Sequence, residues 1–100
     1  MSDSSILTNI KFQLAKHLPE LRLKFPISEI ALFGSVTRDD FDPLQSDIDI
    51  LVDFNGPIGI EFCDLADELE QILHWKVDVV SKSGLKPKNW DYLKTRLSYV

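Results

Sequence analysis

Apolar residues recur along the chain first at helical spacing and later in short, nearly continuous runs. An early group repeats every three or four residues, which predicts a first helix: Leu7, Ile10, Leu14 and Leu18. Pro19 is expected to interrupt this helix or to open a second short turn, because proline lacks the backbone N–H that a helix interior uses. Pro26 is expected to end the helical region before the first strand.

Three apolar runs predict strands at residues 27–33, 47–54 and 76–81. Between the last two, a helix is predicted by an apolar stripe that consists of Phe62, Leu65, Ala66, Leu69, Ile72 and Leu73. A final helix is predicted at residues 87–97, with its apolar residues facing inward. Helices that alternate with strands favour an α/β (α+β) fold, a small mixed β-sheet flanked by helices, in one domain spanning residues 1–100.

The composition is that of a globular chain, because 44% of the residues are hydrophobic and the charged residues are interspersed. The formal net charge of −5 repels phosphate backbones and makes direct nucleic-acid binding an unfavourable interpretation, whereas ATP is compatible with it once magnesium reverses the local charge. The first residues lack the basic start and apolar stretch of a signal peptide, and no apolar run approaches the ~18 residues needed to span a membrane. We therefore expect a soluble cytoplasmic protein. The lone Cys63 fits a reducing compartment and a buried helix position.

Three aspartates stand in the predicted strands, where an uncompensated carboxylate is costly. Asp47 and Asp49 are two residues apart, so their side chains point to the same face, with Cα atoms about 6–7 Å apart. Asp78 joins them if the third strand lies beside the second. Magnesium prefers such oxygen ligands, and two ions about 3.5–4 Å apart stabilise the attacking and leaving oxygens of an in-line displacement. The three acids are candidate metal ligands and catalytic residues, and the third is also a candidate to deprotonate an acceptor hydroxyl.

Simpler explanations exist for these acids. An Asp-x-Asp pair alone is common, and solvated residues at a strand end explain it. Lys76 lies on the same strand face as Asp78 and is the best candidate for a simple ion pair. An EF-hand is excluded because, counted from Asp40, the sixth position is Gln45 rather than Gly and the twelfth is Leu51 rather than Glu. The three acids taken together with the Gly-Ser turn favour the metal site.

Gly34 and Ser35 follow the first predicted strand directly. Glycine at a strand end lets the backbone approach a ligand closely, and a following helical turn aims N–H groups at an anion. The Ser35 hydroxyl and Arg38, one turn further on, are candidate partners for nucleotide phosphates. For Gly34 and Ser35 taken alone, an ordinary strand-to-helix turn with a serine cap is the simpler explanation. A Walker P-loop is excluded, because no Gly-Lys-Ser/Thr follows.

Three segments together resemble one enzyme family. Residues 32–38 (Leu-Phe-Gly-Ser-Val-Thr-Arg), 46–54 (Ser-Asp-Ile-Asp-Ile-Leu-Val-Asp-Phe) and 77–80 (Val-Asp-Val-Val) are similar to the minimal nucleotidyltransferases of the DNA polymerase β superfamily. The resemblance runs over almost the whole chain and implies the minimal nucleotidyltransferase fold. It implies that Asp47 and Asp49 are the paired metal ligands and that Asp78 is the third acid. It also implies that Gly34 and Ser35 hold the triphosphate.

The same resemblance implies a biological role. Small proteins of this kind are commonly the antitoxin half of a toxin–antitoxin pair, whose other half is a helical HEPN-domain ribonuclease. The resemblance implies an enzyme that uses two Mg2+ ions to transfer AMP from ATP to a tyrosine of that toxin, which silences it. Two other functions stay open, namely an antitoxin that blocks its toxin sterically with a dormant site, and a subunit that modifies a small molecule such as an aminoglycoside. The chain departs from the family where Asp39, followed by Asp40, replaces the usual glycine after the arginine.

Overall fold

The computed structural model describes residues 3–38, 41–42 and 44–100, in which helices and strands alternate. In chain order they are α1 (Asp3–Lys24), β1 (Ile27–Phe33), a short 3-10 helix (Gly34–Thr37), β2 (Ile48–Phe54), α2 (Glu61–Leu73), β3 (Val77–Ser81), a second 3-10 turn (Lys82–Gly84), α3 (Pro87–Leu93) and β4 (Ser98–Tyr99). The three predicted strands are confirmed, each to within one residue at its ends. The helix predicted between the second and third strands is confirmed as α2.

The strands form one mixed sheet in the order β3-β2-β1-β4. β1 pairs antiparallel with both β2 and β4, whereas β2 pairs parallel with β3. A parallel pair needs a crossover connection, and α2 supplies it. The mixed sheet with its three helices confirms the predicted α+β fold class.

One face of this sheet carries the main hydrophobic core. Alternate residues of β1 and β2 point to it, and α1 and α2 cover it with the apolar stripes that their sequences contain. The most deeply buried residues of this layer are Ile10, Leu14, Leu21, Ile30, Leu32, Ile48, Ile50, Val52, Leu65 and Leu69. Burying each such side chain stabilises the fold by roughly 1.5–3 kcal/mol. This face is therefore filled by apolar packing, and the aspartates of β2 and β3 lie on the other face.

The second face of the sheet is apolar in its middle and acidic toward one end. Ala31 and Leu51, which are paired across β1 and β2, are 1% and 3% exposed. Asp49 precedes Leu51 by two positions on the same face, and it is half-buried. β2 is thus buried on both sides at its centre, as its continuous apolar sequence predicts.

The expectation that Pro19 breaks the first helix is wrong, because α1 continues unbroken to Lys24. Pro19 itself is exposed, whereas Leu14 and Leu21 on either side of it are buried in the core. Burial of both halves on the same sheet face holds the helix together despite the missing N–H. The buried position expected for Cys63 is also wrong, because this residue is exposed on α2.

The C-terminal segment differs from its predicted form. α3 ends at Leu93 rather than at residue 97, and a turn leads into β4, which the sequence pattern does not reveal. A backbone hydrogen bond from Val100 N–H to the carbonyl of Ile30 (2.9 Å) holds this segment beside β1. A side-chain hydrogen bond from Lys11 Nζ to Ser98 Oγ (3.0 Å) links it to α1. Among the described helices, none combines the length and apolar character required to cross a membrane.

Candidate active site

Asp49 and Asp78 occupy paired positions on the parallel strands β2 and β3. Paired residues of neighbouring strands point to the same face, so both carboxylates project from the second face of the sheet. On the other side of Asp49, the antiparallel pairing places Phe33 at the end of β1. A single row across three strands therefore reads Phe33, Asp49, Asp78. The condition set by the sequence argument, that the third strand should lie beside the second, is met.

Asp47 lies one residue before β2 and is exposed. It stands two positions from Asp49, and its charge acts on that residue. Asp78 is also exposed, although its neighbours in β3 are half-buried. The simple ion pair considered for Asp78 does not form, because within the described ranges Lys76 makes no salt bridge with it.

Burial raises the pKa of the Asp49 carboxyl above its ordinary value, and the charges of Asp78 and Asp47 raise it further. The positive charge of Arg38 acts in the opposite direction. The three acids therefore repel one another across a small part of the surface. A cation that binds between them would relieve this repulsion.

Gly34 lies directly against the Asp49 carboxylate. A β-carbon added at residue 34 would stand 2.1 Å from Asp49 Oδ2, which is far inside contact distance. The backbone at Gly34 also has φ of +74°, a conformation that L-residues rarely adopt. Both facts require glycine here, so the turn and the carboxylate form one compact unit.

The residues after Gly34 form a short 3-10 helix that ends at Thr37. The Arg38 N–H donates to the carbonyl of Ser35 (3.0 Å), and the Thr37 hydroxyl donates to the carbonyl of Gly34 (2.8 Å). The N-cap position is Phe33, so Ser35 lies inside the turn and does not cap it. Asp39 and Asp40, where the sequence departs from the family pattern, lie outside the described residues.

Within residues 3–38, 41–42 and 44–100, no group of three or more His, Cys, Asp and Glu side chains is arranged to hold a metal ion by itself. The donors nevertheless match magnesium in kind, because they are carboxylate oxygens. Magnesium is commonly bound through only one or two carboxylates, with nucleotide phosphates and water as the other ligands. The acids thus fit the ion chemically, with part of its ligand set supplied by a substrate.

A cavity of about 650 Å3 opens beside this turn. Its lining includes Gly34, Thr37 and Arg38 from the turn after β1, and Arg96 from the segment after α3. Its volume lies within the range of about 300–1,000 Å3 that is typical of small-molecule sites. Neither Arg96 nor Thr37 is singled out by the sequence pattern. Arg96 lies just before β4, and because the sequence does not predict β4, it gives no signal for Arg96.

Residues 14–99 match the family described as the nucleotidyltransferase domain. The chain belongs to this nucleotidyltransferase family. It is 43% identical over 81 residues to protein adenylyltransferase MntA of Thermococcus cleftensis, covering 80% of this chain and 81% of that protein. The family resemblance seen in the sequence is confirmed, and the chain is an enzyme of the nucleotidyltransferase class.

Solved structures of nucleotidyltransferases share this fold. One, described as a candidate minimal nucleotidyltransferase, superposes with a TM-score of 0.71 at 26% identity, covering 97% of this chain and 94% of that one. Another is the MNT antitoxin in complex with a tri-AMPylated HEPN toxin from Shewanella oneidensis, with a TM-score of 0.66 at 25% identity, covering 90% of this chain and 70% of that one. The predicted minimal nucleotidyltransferase fold is thereby confirmed.

Proposed function

We propose that this nucleotidyltransferase transfers AMP from ATP to a tyrosine hydroxyl of a HEPN-domain toxin and thereby silences it. The observation that carries the proposal is the row formed by Asp49 and Asp78 next to the tight turn at Gly34. The similarity to protein adenylyltransferase MntA supports a protein as the acceptor. The similarity to an MNT antitoxin bound to an AMPylated HEPN toxin supports the partner.

In the proposed step, the acceptor hydroxyl oxygen attacks the α-phosphorus of ATP. A new P–O bond forms to the acceptor, the bond from the α-phosphorus to the bridging oxygen breaks, and pyrophosphate leaves with that electron pair. The hydroxyl proton passes to Asp78, whose exposed carboxylate can be reached by an acceptor from outside the chain. Asp49 lies between Asp78 and Gly34, so the α-phosphate is assigned to a position next to Asp49.

Asp47, Asp49 and Asp78 would hold two Mg2+ ions, with the remaining ligands supplied by phosphate and water oxygens. When bound, such ions neutralise the charge that develops on the phosphate oxygens. The protein's own contribution is to place three carboxylates close together, where burial of Asp49 and the charges of Asp78 and Asp47 raise the pKa of Asp49 and favour a bound cation.

Gly34, Ser35 and Arg38 are assigned to the β- and γ-phosphates. Gly34 packs directly against the Asp49 carboxylate, so phosphates held by the backbone of this turn would lie next to the acids. Ser35 offers a hydroxyl donor from inside the turn, and Arg38 offers a guanidinium group at its end. Together they hold the leaving group on the side opposite Asp78.

The acceptor is assigned to a partner chain because Asp78 is open to solvent on the outer side of the acid row. Asp78 belongs to β3, which is an edge strand, so within the described residues no further strand lies on its outer side. An acceptor side chain presented by a docked protein can therefore reach this carboxylate.

The test uses ATP labelled at the α-phosphate, Mg2+, the purified chain and a HEPN-domain protein from the same genome. Label is expected on the HEPN protein, and it should be lost with Asp47→Asn and Asp49→Asn. Asp53→Asn is the matched control, because Asp53 lies on the same strand face but pairs with Lys82 (3.8 Å) away from the row. Neutralisation of the toxin that survives both site variants would favour a steric antitoxin. Label found only on an added aminoglycoside would favour the small-molecule enzyme.

A further inference from the structure

Arg96 lines the same cavity as Gly34 and Arg38. Among the described residues, none of the side chains that line this cavity is acidic. The whole chain, in contrast, has 16 acidic and 11 basic residues. The cavity is therefore a local region of positive charge in an acidic protein, next to the turn that contacts Asp49.

Contacts with Tyr92 hold the Arg96 side chain in place. Its guanidinium stacks over the Tyr92 ring, with 4.0 Å from Cζ to the ring centroid, and it donates a hydrogen bond to the Tyr92 carbonyl. A guanidinium has five N–H donors, and within the described part of the chain Arg96 forms no salt bridge with a carboxylate. The group is thus oriented by stacking, and most of its donors are directed to no partner in the described residues.

A third cation stands at the edge of the cavity. Ser98 lines the cavity, and Lys11 Nζ donates to its hydroxyl at 3.0 Å. Two basic residues, Arg38 and Arg96, therefore line the cavity, and a third, Lys11, contacts its lining through Ser98. Such an arrangement suits an anion with several charged oxygens.

Gly34 contacts Asp49 and also lines this cavity, so the cavity adjoins the acids. In nucleotidyl transfer the α-phosphate has to lie at the acids, so the β- and γ-phosphates lie beyond the turn. These two phosphates carry most of the charge of ATP, and they leave together as pyrophosphate. The guanidinium of Arg96, which lines the cavity, stabilises the negative charge that develops on the leaving pyrophosphate.

We infer that Arg96 is a second phosphate-binding arginine, which binds the β- and γ-phosphates from the C-terminal segment of the cavity that it shares with Arg38. The inference rests on the proposed nucleotidyl transfer from ATP. It predicts that Arg96 contributes to affinity for ATP and pyrophosphate and contributes nothing to affinity for AMP.

The test measures dissociation constants for ATP, AMP and pyrophosphate by calorimetry in the presence of Mg2+. Arg96→Gln keeps a polar stem over Tyr92 and removes the charge, and it should weaken ATP and pyrophosphate about tenfold while AMP changes less than about twofold. Arg96→Lys should recover part of the loss, since lysine binds phosphate as a point charge. Lys94→Ala is the matched control, because Lys94 pairs with Asp91 (3.1 Å) outside the cavity.

Equal weakening of ATP and AMP by Arg96→Gln would overturn the inference, since it would place the adenosine half beside Arg96. Unchanged ATP affinity, with weaker binding of the HEPN-domain protein, would overturn it in favour of a protein contact. A selective loss of ATP and pyrophosphate binding supports it even if no labelled AMP reaches any acceptor. In that last case, only the transfer to a protein hydroxyl would fail.

Discussion

The carboxylate of Asp49 lies so close to Gly34 that a β-carbon at residue 34 would stand 2.1 Å from Oδ2. The strand end of β1 and the acid of β2 are therefore packed without a side chain between them. Their proximity links the two halves of the proposed site, the phosphate-binding turn and the acid row. Any atom added at residue 34 has to displace either the turn or the carboxylate.

Gly34→Ala is expected to lose at least 100-fold in AMP transfer and to lower the free energy of unfolding by about 1–3 kcal/mol, because it combines the positive φ with the clash at Asp49. Urea denaturation and the labelled-ATP assay measure the two effects. Gly84→Ala is the control, since a β-carbon there meets no atom within 4 Å. If both alanine variants behave like the unaltered protein, the close packing of Gly34 against Asp49 is incorrect.

Asp49→Asn is expected to stabilise the protein in the absence of divalent cations. The raised pKa of Asp49 means that the folded chain binds this proton more tightly than the unfolded chain, so ionisation costs stability. The cost is absent below the ordinary pKa of 3.8, grows as the pH rises through the higher pKa of the folded state, and is constant above it. Because Asp49 is partly exposed, screening limits the gain to about 0.5 kcal/mol, or about 2–4 °C in Tm.

Thermal unfolding of both proteins from pH 3 to pH 8 in a chelating buffer measures this difference. The gap between Asp49→Asn and the unaltered protein should open as the pH rises and then stay level. A gap that closes with rising pH would contradict the repulsion assigned to Asp49, Asp78 and Asp47.

Asp78→Asn is expected to separate catalysis from nucleotide binding. If Asp78 accepts the hydroxyl proton, its loss should lower kcat by about 100-fold, while the KM for ATP changes by less than about threefold. Steady-state kinetics with a HEPN-domain acceptor measure both values, and Asp53→Asn serves as the control because it pairs with Lys82. A large rise in KM at constant kcat would instead assign Asp78 to nucleotide binding alone.

Pro19→Ala is expected to raise the free energy of unfolding by about 1–3 kcal/mol, because alanine restores a backbone N–H inside the continuous helix α1. Pro57→Ala in the loop before α2 should give no gain, since it only makes the unfolded chain more flexible. Chemical denaturation of the two variants provides the comparison. A loss of stability in Pro19→Ala would mean that the proline ring makes a contact that outweighs the missing hydrogen bond.

The sequence predicts the strands well because each is a short apolar run bounded by turn residues. It fails at Pro19, where local propensity points to a break and the burial of Leu14 and Leu21 on one face of the sheet overrides it. It also fails at β4, because a strand of only two residues leaves no periodic pattern. Elements held by tertiary contacts alone are therefore the ones that the pattern misses.

The candidate site is predictable in its residue types but not in its full extent. Asp47 and Asp49 are two residues apart, so strand geometry predicts that they share a face, although β2 itself begins at Ile48. The neighbouring position of Asp78 depends on a parallel pairing that the sequence leaves conditional. Arg96 depends on how the segment after α3 folds back toward β1, which no local pattern encodes. The metal-ligand and phosphate-binding assignments stay predictions until the variants above are measured.

The crossover through α2 separates Asp49 from Asp78 along the chain but not in space. Inserting or deleting a turn of that helix would change the number of residues between the acids without moving either strand. Shifting β3 by a single residue, in contrast, would turn Asp78 toward the hydrophobic core. A search for distant relatives should therefore allow insertions and deletions within the crossover, and it should align β2 and β3 without gaps.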